Sequence, residues 1–418
     1  TLEAVPALLD KINIGDELLI GQIVNTNATW IGQQLSLSGY WLKQITTIGD
    51  NEQEIIDALN AAKSRAQIIL ITGGLGPTKD DLTKDVLCKY FNTHLVFDKQ
   101  AYSDIENIFH ARGKVVTETN KRQAELPSAC VPIYNKKGTA PGMWFNYGEH
   151  VFVSMPGVPF EMQAMMQNDV LPKLKQQYKA MPIVHKTILT QGIGESDLSD
   201  RIASWENDLP PHFKLAYLPA AGMVRLRLTG KGVEDMERDM NQRISKLKEL
   251  IAPYIFGYDD DTIQSVVGSL LLEKQKTIAV AESCTGGFLS HLITSIPGSS
   301  AYFMGGTVSY SNASKMSQLS VSEQSLKDYG AVSEAVAIEM AIGARKIYNT
   351  DFALSITGIA GPGGGSVEKP IGTVWMGIAT HDSCYARKFL LGTNRLRIIQ
   401  VAADTALNML RKEIIEHY

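Results

Sequence analysis

Two rhythms alternate along the chain: short apolar runs of strand length, and longer stretches whose apolar residues recur at helical spacing. The run Ala66 to Thr72 ends in Gly73-Gly74-Leu75-Gly76-Pro77-Thr78, and the run Thr277 to Val280 leads into Ala281-Glu282-Ser283-Cys284-Thr285-Gly286-Gly287. Each reads as a strand, a tight turn and a helix start. Near the beginning, Ile14-Gly15-Asp16-Glu17-Leu18-Leu19 starts a turn into a helical stretch from Gln22 to Leu37, with Ile23, Ile31 and Leu35 on its apolar side. Before it, Asp10 and Lys11 interrupt the apolar residues Leu8-Leu9 and Ile12, which leaves the start of the first strand open. In the middle, His185 to Gln191 is strand-like, and Gly192 to Ser196 turns into a helix ending near Glu206. Lys214 to Leu218 and Met223 to Thr229 read as a hairpin. Val233 to Ile251 places Met236, Met240, Ile244, Leu247 and Ile251 on one helical stripe, which marks core packing rather than a ligand groove.

Strands alternating with helices predict layered α/β structure. The expected fold is two α/β sandwich domains, residues 1–170 and 258–418, with a smaller α+β domain, residues 171–257, bridging them. That middle segment resembles KH-like domains but has no GXXG loop in a basic setting, so a linker and homodimer-forming role is expected of it rather than RNA binding. With 418 residues and 44% hydrophobic content, the chain is large enough for several cores. Its net charge of -4 creates no broad field for nucleic acid or an anionic membrane. No apolar stretch approaches membrane-spanning length, and Thr1-Leu2-Glu3-Ala4-Val5-Pro6 lacks a basic segment leading into an apolar core, so a cytoplasmic protein is expected. Cys88, Cys130, Cys284 and Cys384 are scattered and form no CxxC pair, which points to neither a disulfide framework nor a zinc site.

The turn at Ser283 is where a nucleophile belongs. A serine there can meet a carbonyl while the free N–H groups of the helix start face the oxygen that gains charge, and Gly286 and Gly287 let the backbone come close. Further polar turns follow apolar runs at Tyr310-Ser311-Asn312-Ala313-Ser314-Lys315, at Ser355 to Gly365 and at Lys369 to Trp375, as expected for a site assembled at strand ends. Together the runs AESCTGG, GTVSYSNASK, GAVSEAVAIEMAIGA, SITGIAGPGGG and KPIGTVW closely resemble the nicotinamide-nucleotide amidase domain of the competence/damage-inducible protein CinA family, over roughly residues 260 to 418. The resemblance implies conversion of nicotinamide mononucleotide to the carboxylate nucleotide and ammonia, a step that needs no metal.

No histidine lies in these motifs, which argues against a Ser-His-Asp triad. The remaining base is a lysine whose pKa is lowered enough to leave it neutral, and Lys315 is the best placed. Tyr310 would relay the proton or orient Lys315. Thr285 and the backbone N–H groups beside it would stabilise the oxyanion. Cys284 is the rival nucleophile, placed second because the family's dyad points to Ser283. Asn312, the loop residues Thr357, Gly358 and Gly361, and Arg395 suit contacts to phosphate or ribose.

In the first third, a Gly-rich turn can cradle phosphate on its backbone N–H groups, and a nearby carboxylate can hold a divalent cation. Asp80 and Asp81 are adjacent, so on a helix they diverge, and Asp81 is favoured. The segments IGDELLIGQIVNTNATWIG, TGGLGPTKDDLT, NKRQAELP, NKKGTAPG and MPGVPFEM resemble the molybdopterin-binding-like domain at the N-terminus of CinA proteins, over about residues 12 to 170. This resemblance implies divalent-metal-dependent hydrolysis of ADP-ribose to AMP and ribose 5-phosphate. Asp81 and Asp16 are the implied metal ligands, with Gly73, Gly74, Gly76, Thr78 and Glu161 around the substrate. Two other readings stay open: a pterin-nucleotide binder without hydrolase activity, and a competence or DNA-repair accessory acting through protein contacts.

Overall fold

A computed structural model describes residues 7–78, 80–181, 183–232 and 235–418. The first six residues, and Val233 and Glu234 at the expected start of the charged helix, lie outside the described residues. The chain forms two compact units, one of residues up to 184 with 230–236, the other of residues 185–229 with 237–418.

The first unit is built on β1 (Leu8–Ile14), β2 (Trp41–Ile48), β3 (Ile68–Thr72), β4 (Leu95–Phe97), β5 (Glu125–Pro127), β6 (Val131–Ile133), β7 (Gly142–Tyr147) and β8 (His150–Met155). Six of these form one sheet in the order β2-β1-β3-β8-β7-β6, and β4 and β5 pair separately. The centre of the sheet is parallel and its β7 and β6 edge antiparallel. Both faces are covered. Along β3, Ile68 and Leu70 join one core with Ile31 and Leu35 of the helix Thr26–Leu37, whereas Ile69 and Ile71 join a second with Ile55 and Leu59 of the helix Glu52–Lys63. This two-residue alternation explains why a wholly apolar run suits a central strand.

Two expectations change here. Asp10 and Lys11 do not interrupt the first strand: β1 runs through both, with one irregularity in register between Leu9 and Asp10. Asp10 is buried against the guanidinium of Arg65, at 2.7 Å, and Lys11 is enclosed completely. The helix expected from Gln22 instead starts at Thr26, capped by the Asn25 side chain, which accepts from the Ala28 N–H. Ile23 is exposed, on the segment between that helix and the short helix Asp16–Leu19.

Apart from the first residues of β9, the last of β11 and Met236, which fall in the first unit, the second unit holds β9 (Ile183–Gln191), β10 (Phe213–Ala220), β11 (Met223–Lys231) and β12 (Ile255–Tyr258), a sheet in the order β10-β11-β9-β12, with the helices Glu195–Asn207 and Met236–Ile251. Met236, Met240, Ile244, Leu247 and Ile251 are all buried. The last sheet has the order β14-β13-β15-β16-β17, from β13 (Ile278–Glu282), β14 (Phe303–Val308), β15 (Phe352–Gly358), β16 (Thr373–Ala379) and β17 (Cys384–Leu390). β13 is parallel to both β14 and β15, and β16 and β17 continue antiparallel. The helices Ile263–Glu273 and Arg395–His417 share one core with Val280, Leu354 and Met376, and Leu189 of β9 and Phe256 of β12 belong to that same core. The helix Glu334–Tyr348 packs Val336 and Met340 against Ala279 and Ala281 on the other face.

Candidate active sites

Ser283 follows the last residue of central β13, where its N–H donates to the Ile356 carbonyl of β15 at 2.9 Å and so ties the turn to the sheet. Gly286 and Gly287 both adopt positive φ, 61° and 101°, which a side chain would disfavour. Lys315 comes from the adjacent side, on the helix Asn312–Leu319, whose start is fixed by a reciprocal cap between Ser311 and Ser314. The Lys315 Nζ lies 2.9 Å from Ser283 Oγ. It donates to the Ser309 carbonyl at 2.7 Å and reaches the Tyr310 carbonyl at 3.4 Å. Only 1% of Lys315 is exposed, and this burial pushes its pKa below the usual lysine value. Two carbonyls can take the two N–H bonds of a neutral amine and leave its lone pair to the Ser283 hydroxyl, and the same three oxygens can take the three N–H bonds of an ammonium.

Cys284 is buried beside the pair, within the apolar core of the unit. Burial raises its thiol to about 12, outweighing the opposing pull of its own backbone N–H and of Lys315 and Arg395. A protonated thiol is a poor nucleophile.

The start of the helix Phe288–Thr294 differs from expectation. Its N–H groups do not face an incoming oxygen, because the fully buried Glu282 carboxylate accepts from the N–H groups of Gly287, Leu289 and Ser290 at 3.1, 3.0 and 2.8 Å, and from the Ser290 hydroxyl at 2.7 Å. What remains is closer to Ser283. Among the described residues the Thr285 N–H donates to no backbone carbonyl and the buried Thr285 Oγ1 has no partner, while the Cys284 N–H meets only its own thiol.

Tyr310 contributes its carbonyl rather than its hydroxyl. Its side chain is 63% exposed, and its hydroxyl lies 3.5 Å from Nη2 of Arg395. Arg395 also donates to the Gly361 carbonyl at 2.7 Å, so the turns carrying Tyr310 and Gly361 meet at one guanidinium. Asn312 is exposed on the first turn of its helix. Thr357 is buried and its hydroxyl donates to the Ala331 carbonyl at 2.8 Å, so the side chain braces the loop and leaves that face to backbone. At Gly358 an added Cβ would crowd Val374 and the Thr373 carbonyl.

The first unit carries a separate cavity of about 440 Å³ at the ends of β1 and β3. Gly73, Gly74, Gly76, Asp81 and Glu161 line it. Gly73 and Gly74 have positive φ of 108° and 64°, and a Cβ on either would collide, with the Ile14 carbonyl and the Thr83 hydroxyl respectively. Asp80 and Asp81 are not on a helix. They sit in the turn before the helix Thr83–Tyr90, and both line the cavity. The Asp81 carboxylate closes that turn on Thr78, accepting from its N–H at 2.9 Å and from its hydroxyl. Glu161, on the helix Pro159–Met165, accepts from Asn135 Nδ2 at 2.6 Å, and burial raises its pKa despite that bond.

Asp16 is not among the lining residues. Its carboxylate turns to the Asp50 N–H, at 3.3 Å, while the Asp50 carboxylate accepts from the Asp16 N–H at 3.1 Å. Glu17 and Asp50 line the cavity in its place. Burial, and then the charges of Asp16, Glu17 and Asp81, raise the Asp50 pKa, against the Asp16 N–H bond that lowers it. Glu17 was visible beside Asp16 in the sequence; Asp50 had no signal beyond an acid after an apolar run. Among the described residues no three His, Cys, Asp or Glu side chains converge as a metal cage. One or two carboxylates beside a Gly-rich turn could hold a hard cation only where it shared its coordination with the oxygens of a bound ligand.

Two candidate sites, one in each α/β unit, define a composite protein. Three family models cover it: the probable molybdopterin binding domain over residues 11–176, the damage-inducible protein CinA KH domain over 185–257, and the CinA C-terminal domain over 260–414. A CinA-like protein from Cytophaga hutchinsonii is 44% identical over 97% of this chain and 98% of its own. A putative competence-damage inducible protein from Caldicellulosiruptor saccharolyticus is 40% identical over 98% of this chain and 100% of its own. Among solved structures, competence/damage inducible protein CihA from Agrobacterium tumefaciens is 36% identical, covering 36% of this chain and 92% of its own, with a TM-score of 0.35. The chain belongs to the CinA family. Among the described residues no helix is long and apolar enough to cross a membrane.

Proposed function

We propose that the protein is a two-headed hydrolase of pyridine-nucleotide salvage, one head acting on nicotinamide mononucleotide and the other on ADP-ribose. The observation that carries the reading is the Ser283–Lys315 pair, a hydroxyl 2.9 Å from a buried amine whose pKa burial lowers. The neutral amine takes the Ser283 proton as Oγ attacks the carboxamide carbon of nicotinamide mononucleotide. The negative oxygen is met by the N–H groups of Cys284 and Thr285 and by the Thr285 hydroxyl. The C–N bond then breaks, and the ammonium of Lys315 returns its proton to the departing nitrogen, so ammonia leaves and an acyl-serine remains. Lys315 next takes a proton from water, whose oxygen attacks the ester; the proton passes back to Ser283 Oγ and the carboxylate nucleotide is released. Arg395, at the meeting of the Tyr310 and Gly361 turns, supplies positive charge for the phosphate.

In the first unit the reading is hydrolysis of an ADP-ribose-type pyrophosphate, with the N–H groups of the Gly73-Gly74 turn binding phosphate oxygens. A divalent cation held by Asp81, with Asp50 and Glu17 nearby, would neutralise pyrophosphate charge there. The test is reciprocal. Ser283→Ala is expected to abolish ammonia release from nicotinamide mononucleotide and leave AMP production from ADP-ribose near wild type, and Asp81→Ala to do the reverse. Near-normal ammonia release in Ser283→Ala would transfer the nucleophile to Cys284, and AMP production that resists chelator would remove the cation.

A further inference from the structure

Lys11 lies within β1 and has no exposed surface. A lysine in such a place normally has a carboxylate partner. Here the neighbouring Asp10 carboxylate is engaged by Arg65, at 2.8 Å from Nε and 2.7 Å from Nη2. The Lys11 Nζ donates instead to the Ile12 carbonyl at 2.5 Å and to Thr72 Oγ1 at 2.6 Å. Two acceptors match the two N–H bonds of a neutral amine, and burial holds its pKa well below the usual lysine value against the weaker pull of Asp10.

The lysine gives the neighbouring hydrogen bonds a direction. With its oxygen accepting from Lys11, the Thr72 hydroxyl donates to Asn13 Oδ1 at 3.4 Å, and Asn13 Nδ2 donates to the Thr46 carbonyl at 3.2 Å. Thr72 and Asn13 both line the cavity of the first unit, and Thr72 immediately precedes Gly73 and Gly74. A methionine or leucine at position 11 would fill the same space but leave the Thr72 hydroxyl free to rotate, and with it the amide of Asn13.

We propose that Lys11 is a positioning residue: by donating to Thr72 it orients the Asn13 amide and so sets the hydrogen-bonding pattern that the cavity floor offers to a nucleotide. That the ligand is a nucleotide rests on the hydrolase reading, whereas the orientation of Asn13 does not. The test compares Lys11→Met, Thr72→Val and Thr72→Ser in the full chain, by NMR of isotope-labelled asparagine side chains, by calorimetric titration with ADP-ribose, and by Tm. Lys11→Met and Thr72→Val are expected to shift the Asn13 side-chain amide signals and weaken ADP-ribose about tenfold, or ~1.4 kcal/mol. Thr72→Ser, which keeps the hydroxyl, is expected to restore both. The Tm of Lys11→Met is expected not to fall, because burying an amine away from water opposes folding. Unchanged Asn13 signals in Lys11→Met, or equal losses in Thr72→Ser and Thr72→Val, would overturn the proposal. A wild-type protein that neither binds nor cleaves ADP-ribose would refute the hydrolase reading alone, since the Asn13 signals still decide the role of Lys11.

Discussion

Around Lys315 the charge balance decides whether Ser283 has a base. Burial is the main influence on the amine and it lowers the pKa, so the neutral fraction at a given pH is larger than for a lysine in water and grows as pH rises. For ammonia release, kcat is therefore expected to climb with pH through that lowered pKa and then level off. Arginine stays protonated at any working pH. Lys315→Arg should accordingly lose activity as fully as Lys315→Ala, by about 10²- to 10⁴-fold in kcat, with KM much less affected. Substantial turnover in the arginine variant, measured at saturating substrate, would mean that position 315 serves only as a positive charge. Ser283 stood out in the sequence because it sits in a polar turn after a strand-like run, and Lys315, which lies on the helix Asn312–Leu319, because no histidine lies in the motifs and the family resemblance pointed to it. Lys11 and Asp50 did not, since the partner of Lys11 is Thr72 on β3 and that of Asp50 is Asp16 at the start of the helix Asp16–Leu19, and spacing along the chain carries no trace of those contacts.

At the scale of elements, the turn from β13 into the helix Phe288–Thr294 depends on Glu282. Its two carboxylate oxygens accept four hydrogen bonds, one from the buried Leu289 N–H and three from the part-buried donors of Gly287 and Ser290, and its negative charge suits a helix start. Glutamine has one acceptor oxygen and would set its own N–H₂ against backbone donors. Glu282→Gln is thus expected to destabilise the protein by about 1–3 kcal/mol in a denaturant titration and to lower kcat for ammonia release, because the same turn presents Ser283. A variant with wild-type stability and turnover would show that the carboxylate is dispensable. An acid closing an apolar strand run was the available signal for this cap, hidden by its place next to a more conspicuous serine. The strands themselves were largely readable from their apolar runs. Periodicity misled at Gln22 to Leu37, where Ile23 fits the helical stripe yet lies on an exposed turn ahead of the Asn25 cap.

For the whole molecule, the layered α/β character follows from alternating strands and helices, but the grouping of its parts does not. Leu189 and Phe256, from the sheet that precedes the last one, are buried in the same core as Val280, Leu354 and Met376. A fragment of residues 258–418 would lose both. At about 1.5–3 kcal/mol for each large apolar side chain, that fragment is expected to unfold at lower denaturant than residues 185–418, by circular dichroism of the two pieces side by side. Equal midpoints would show that the shared packing adds nothing. The same packing bears on inheritance. Segments that evolve as movable modules keep surfaces that tolerate any neighbour, whereas the shared core here is expected to couple substitutions at Leu189 or Phe256 to those at Val280 and Leu354. Recombination that brought in a free-standing relative of the last segment would join two histories that had not adapted to each other, and the descendants would have to repair that seam before the exchange could persist.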